Sequence, residues 1–181
     1  QALWDIKGKE LGRPVYELLG GRVRDKVRVY THFGGNTPEA AANSALSKVE
    51  KGWTAIKTVP VPITNIIDGP VLIKQATEKL RAVREAVGDA FEIMVDANQC
   101  FTVSEAIRRA RAFEPCGLAW LEEPLPAEDL GGHAELAAHT AIPIAVGESL
   151  YHPAHFREYL ERDACSIVQA DVARIGGITP W

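Results

Sequence analysis

Three short apolar runs, each ended by a carboxylate, recur along this chain at one fixed interval. Ile93-Met94-Val95 leads to Asp96, Ala119-Trp120-Leu121 to Glu122, and Ile144-Ala145-Val146-Gly147 to Glu148, with 26 residues from each acid to the next. Such an interval holds one strand, a loop, a helix and the return to a parallel neighbour. Consecutive parallel strands deliver their last residues to the same sheet edge, so three acids converge there. Converging carboxylates repel one another and need a hard cation with a preference for oxygen, and Mg²⁺ fits that need.

The spacing of apolar and charged residues places further elements on the same plan. A helical lead-in covers residues 2–19, interrupted around Gly12-Arg13-Pro14 and ended by Gly20-Gly21. A first strand is expected over Val27–Thr31 and a second over Ala55–Val59. Thr37 with Pro38 opens the helix between them, as a capping residue followed by Pro at the first helical position. Pro60–Pro70 reads as a long loop, and an apolar stripe Leu72, Ala76, Leu80, Val83, Val87 marks the next helix. Ser104 is expected to cap a helix ending at Phe113. Later helices are expected over 131–139 and 153–162, and a sixth strand over Ser166–Asp171.

Strict strand–helix alternation means a parallel α/β architecture, and both doubly wound sheets and (β/α)8 TIM-type barrels satisfy it. The barrel is favoured because it points every strand end at one axis, where acids on successive strands can meet. A complete barrel runs to about 250 residues, whereas this chain has 181. Residues 22–181 are therefore expected to supply about six βα units, and residues 1–21 a linker into them. The chain reads as a piece of something longer.

At the inferred mouth stand Lys57, Asp96, Glu122, Glu148 and Asp171, the last 23 residues beyond Glu148. Asn98 and Glu123 lie beside the acids as hydrogen-bonding supports, Arg174 as an ion-pair support, and His32 as a substrate contact. A cation held by three acids suits the removal of a proton next to a carboxylate, because it stabilises the charge that builds on the carboxylate oxygens. A nearby lysine adds to that stabilisation.

A net charge of −4 offers no electrostatic footprint for nucleic acid or an anionic membrane. No apolar stretch approaches the ~18 residues of a membrane span, and Gln1–Glu10 is polar, unlike a signal peptide. Three cysteines without metal-ligand spacing are expected to be reduced thiols of a cytoplasmic protein.

The runs Val95-Asp96-Ala97-Asn98, Trp120-Leu121-Glu122-Glu123-Pro124, Gly147-Glu148-Ser149 and Asp171-Val172-Ala173-Arg174-Ile175-Gly176-Gly177 resemble the enolase superfamily. The similar subgroup is the mandelate racemase-like one, which includes many sugar-acid dehydratases. Asp5-Ile6-Lys7-Gly8-Lys9 with Leu18-Leu19-Gly20-Gly21 is similar to the segment that joins that family's capping domain to its barrel. The resemblance implies that Asp96, Glu122 and Glu148 hold Mg²⁺. It implies that Asp171 orients a catalytic His on the following strand, and that Lys57 is the first lysine of a Lys-x-Lys motif.

The second lysine of that motif is Val59 here, and valine cannot accept a proton. Racemisation through two opposed bases is thereby disfavoured, while dehydration through one His–Asp dyad survives. The expected activity is a Mg²⁺-dependent lyase that dehydrates an aldonate or aldarate, a small carboxylate substrate. A racemase, epimerase or cycloisomerase is the alternative of the same superfamily. None of His32, His133, His139, His152 and His155 occupies the dyad position. A non-catalytic fragment is therefore the alternative of another class, expected by itself to be unstable or oligomeric through its unpaired sheet edges. A homo-oligomer is expected of the protein.

Overall fold

A computed structural model describes residues 1–59 and 69–181. Most of the loop expected over Pro60–Pro70 thus lies outside the described residues. Helices α1 (Ala2–Leu11) and α2 (Val15–Leu18) form the lead-in, separated at Gly12, whose backbone is left-handed. Then follow β1 (Thr31–His32), α3 (Pro38–Val49), β2 (Ala55–Thr58), α4 (Gly69–Val87) and β3 (Glu92–Asp96). The chain continues with α5 (Val103–Phe113), β4 (Trp120–Glu122), α6 (Leu130–Ala138), β5 (Ile144–Val146), α7 (Pro153–Glu161) and β6 (Ile167–Val168).

Every strand pair is parallel, and the strands lie in the order β1-β2-β3-β4-β5-β6. A doubly wound sheet reverses its strand order at a switch point. This sheet has no reversal among the described residues, as a run of barrel units requires. Its inner strands, β2 to β5, are largely buried on both faces, with Ile56, Ile93, Val95, Leu121, Ile144 and Val146 essentially inaccessible. The helices lay their apolar stripes against it through Ala76, Leu80 and Val83 of α4 and Ala106, Ala110 and Phe113 of α5. Burial of apolar area at about 25 cal/mol per Å² is the dominant stabilising contribution in such a layer.

Local capping follows the sequence in part. Thr37 accepts the Ala40 N–H at the start of α3, with Pro38 at its first turn. Two helix starts differ from expectation. Thr102, not Ser104, occupies the N-cap of α5, and Asp129 caps α6 by accepting the Gly132 N–H. The Asp129 carboxylate satisfies one of the free N–H groups at a helix start, which the apolar pattern alone does not reveal.

The outer strands are also shorter than expected. The first was expected over Val27–Thr31, but pairing begins only at Thr31. Val27 and Val29 remain exposed, at 70% and 59%. Their alternation is strand-like, but β1 is an edge strand whose one described neighbour, β2, reaches only two of its residues. The sixth strand ends at Val168, so Asp171 stands beyond it in a turn.

Candidate active site

Parallel pairing in register sets the acids side by side: Asp96 is opposite Glu122 across β3 and β4, as Lys57 is opposite Met94 across β2 and β3. The Lys57 ammonium reaches both carboxylates, with Nζ 3.1 Å from Asp96 Oδ2 and 2.6 Å from Glu122 Oε1. All three side chains are withdrawn from water, Lys57 at 8%, Asp96 at 17% and Glu122 at 4% exposure. Burial opposes the charge on Lys57. Hydrogen bonds to Glu122 and Asp96, and the charges of both, more than offset it, so its pKa stands well above the ordinary lysine value. Burial likewise opposes ionisation of Glu122, but hydrogen bonds from Lys57, Trp120 and Gln169 and the lysine charge hold its carboxyl below the usual range.

The remaining oxygens of both acids are occupied. Glu122 Oε2 accepts from Trp120 Nε1 at 3.0 Å and from Gln169 Nε2 at 3.1 Å. Asp96 Oδ1 accepts the Asn98 N–H at 3.0 Å. One oxygen of each acid is therefore left to face the lysine, and both face the same cation. Gln169 had no sequence signal, since it lies 47 residues from Glu122, and the bond from Trp120 to Glu122 likewise follows from the fold.

The structure places the other candidates as follows. Glu123 is buried, takes a left-handed backbone (φ 41°), and accepts the Gly147 N–H at 2.8 Å. Its pKa is raised by burial and by the charges of Glu148, Glu122 and Asp96, with the Gly147 N–H acting against the shift. Three carboxylates thus act on Glu123 from the ends of the neighbouring strands. Glu148 itself is exposed two residues past β5 and makes no ion pair among the described residues. Asn98 supports Asp96 through its backbone, its side chain being exposed.

Asp171 is exposed and caps its own turn, accepting the Ala173 N–H at 2.7 Å and the Arg174 N–H at 3.2 Å. Arg174 stands 3.9 Å from it and donates to Tyr151 Oη, both at the solvent-facing rim. His32 is exposed, edge-on to Tyr30 at 6.1 Å, beside a cleft that Thr58 and Val59 also line. His133 is fully buried against Tyr159, and His152 caps α7 through the Ala154 N–H, so neither serves the mouth of the sheet.

Lys57, Asp96 and Glu122 are thus brought into contact, while Glu148 and Asp171 flank them at the next two strand ends. As they stand, the described side chains do not gather three acidic groups into one ligand set. The donor chemistry nonetheless fits a hard divalent cation. Asp96 and Glu122 already converge on one positive charge, the lysine ammonium, with carboxylate oxygens that favour Mg²⁺. Glu148 on the neighbouring strand has no competing partner among the described residues.

Residues 40–181 match a family model described as Enolase C-terminal domain-like. The chain is 41% identical over 184 residues to the L-talarate/galactarate dehydratase of Salmonella typhimurium, covering 99% of this chain and 44% of that protein. It is 39% identical over 179 residues to the D-galactonate dehydratase of Variovorax paradoxus, covering 99% of this chain and 47% of that protein. Among solved structures it resembles a member of the enolase superfamily from Salmonella Typhimurium, with a TM-score of 0.92 and 32% identity. That likeness covers 99% of this chain and 51% of the other. The chain therefore spans about half the length of the proteins it matches.

Proposed function

The chain belongs to the enolase C-terminal domain-like family, and on that premise we propose that the protein is a Mg²⁺-dependent dehydratase of sugar acids. The observation that carries this reading is the buried Lys57–Asp96–Glu122 contact at the C-terminal edge of the sheet. Its support is the naming of relatives at 39% to 41% identity as dehydratases of galactonate and of talarate or galactarate.

Asp96, Glu122 and Glu148 are the residues that would hold the cation. Bound there, Mg²⁺ supplies positive charge to the carboxylate oxygens of the substrate. Glu122 would present the one oxygen that Lys57 holds in this structure, because Trp120 and Gln169 retain the other, so the lysine would turn from the acids toward the substrate as the cation binds. Lys57 is an ammonium throughout the neutral range, its pKa being raised above the ordinary value. Its proposed role is to donate to the substrate carboxylate as negative charge grows on it. Asp171 would orient a histidine of the following strand, beyond residue 181, that takes the α-proton and returns it to the departing hydroxyl. That proton leaves the α-carbon, the β-carbon–oxygen bond breaks, and the hydroxyl departs as water. The resulting enol tautomerises to a 2-keto-3-deoxy acid. Val59, exposed just past β2, offers no second base for the opposite face.

The test is a panel of aldonates and aldarates incubated with the intact protein and Mg²⁺, with keto-acid formation followed as the semicarbazone. Dehydration of at least one sugar acid, abolished by EDTA and restored by Mg²⁺, is expected. Turnover indifferent to EDTA would refute the metal assignment. Solvent deuterium in recovered substrate without loss of water would move the protein to the racemase or epimerase reading.

A further inference from the structure

Glu148 poses a positional problem. It is exposed, and no side chain among the described residues holds it, yet the proposed cation site needs its carboxylate fixed relative to Asp96 and Glu122. Both residues that flank it are held. On one side, the Gly147 N–H donates to the buried Glu123 Oε1 at 2.8 Å. Gly147 also lies so close to the next strand that a Cβ there would stand 2.7 Å from the Gln169 backbone, which fixes its path. On the other side, Ser149 Oγ accepts from Gln99 Nε2.

Gln99 is itself anchored three ways. Its N–H donates to the Glu123 carbonyl at 2.7 Å, its Oε1 accepts the Ala127 N–H at 3.4 Å, and its Nε2 makes the bond to Ser149. One side chain thus joins the segments that follow β3, β4 and β5. Its backbone is left-handed (φ 58°), as are those of Asn98 (φ 49°) and Glu123 (φ 41°). Residues bearing a Cβ seldom adopt that conformation, and three at two neighbouring strand ends indicate a geometry held by its surroundings.

We propose that Gln99 is a positioning residue for Glu148, acting through Ser149, with Glu123 holding the opposite flank through Gly147. The tie holds the backbone that carries Glu148 in register with Asp96, three residues upstream of Gln99. Gln99 touches neither substrate nor cation. This inference rests on the reading of Glu148 as a cation ligand and deepens it.

The experiment is Mn²⁺ binding to the intact protein without substrate, followed by electron paramagnetic resonance, alongside melting temperature. Gln99→Leu and Ser149→Ala are each expected to raise the Kd for Mn²⁺ roughly tenfold, the usual scale for residues that orient metal ligands. The double variant should be no weaker than the weaker single one, because both remove the same tie. Ser149→Thr keeps the hydroxyl and should bind as the wild type does. An unchanged Kd in Ser149→Ala, or losses that simply multiply in the double variant, overturns the proposal. Ser149 is only half-buried, so that arm stands even where Gln99→Leu folds poorly. Glu148→Gln separates the two claims. Wild-type affinity in Glu148→Gln removes the ligand reading and the tie's purpose with it. Weakened binding there, with Gln99→Leu and Ser149→Ala unaffected, removes only the positioning role.

Discussion

The two ends of the sheet solve the same turn problem with different residues. Where helices return to strands, the left-handed positions fall mainly on glycines, Gly52, Gly88 and Gly117, which carry no Cβ to strain, with Asp163 before β6 the exception. Arg84 closes that end by donating to four carbonyls, Cys116 O at 2.9 Å, Gly117 O at 2.8 Å, and Gly88 O and Phe91 O at 2.7 Å. Where β3 and β4 run out toward helices, the left-handed positions are Asn98, Gln99 and Glu123, and the neighbouring side chains are carboxylates. One end is arranged for ease of folding. The other carries side chains on left-handed backbone beside like charges. This is the division of labour expected between the faces of parallel α/β barrels, with chemistry at the C-terminal strand ends and stability at the other.

The sharpest break of that contrast is Glu122→Gln. It is expected to cut turnover by about 10³-fold, the scale of removing a central electrostatic element. The fold should be retained, because the amide still occupies the place of the carboxylate. Steady-state kinetics and circular dichroism on the intact protein check both halves. Near-normal turnover would sink the assignment of Glu122.

Lys57→Met should blur the contrast, since it leaves Glu122 and Asp96 without the lysine charge at the end where strands run out toward helices. Breaking such a pair costs about 3 kcal/mol, measurable by urea unfolding without added metal. Its pH dependence has a definite sign. The Glu122 contribution is present above the ordinary value of 4.5 and lost as pH falls through its depressed folded pKa. The Lys57 contribution is complete below 10.5 and lost as pH rises through its raised folded pKa. The stability difference between wild type and Lys57→Met should therefore be flat between those limits and shrink outside them. A difference that grows below pH 4.5 would contradict the pairing.

At the opposite end, Arg84→Ala is expected to cost about 2 kcal/mol, since charged hydrogen bonds contribute more than neutral ones, with turnover per folded molecule unchanged. Gly117→Ala, at φ 62°, should cost about 1 kcal/mol through strain alone. Loss of turnover at full stability in either variant would show that the two ends are coupled.

Much of this was legible in the chain itself. Apolar runs ended by acids located β3, β4 and β5, because a buried parallel strand reads as a near-continuous apolar run and the acid after it marks its exit. Thr37-Pro38 announced α3 for an equally local reason. The same rules misplaced the first strand at Val27, since alternation gives a residue's inclination and says nothing of whether a neighbour is there to pair with it. They extended the last strand to Asp171, which instead caps a turn that its own carboxylate organises.

The sequence by itself determined which acids stand at the exits of β3, β4 and β5 and hence which charges share an edge, because period and spacing are properties of the covalent chain. Only the tertiary structure decided how those charges are held. Gln169 reaches Glu122 across 47 residues and Gln99 reaches Ser149 across 50. Glutamine has no local signature that says where its amide points. Its partner is chosen when parallel register and helix packing bring distant loops within hydrogen-bonding distance, and that choice is made by the fold as a whole.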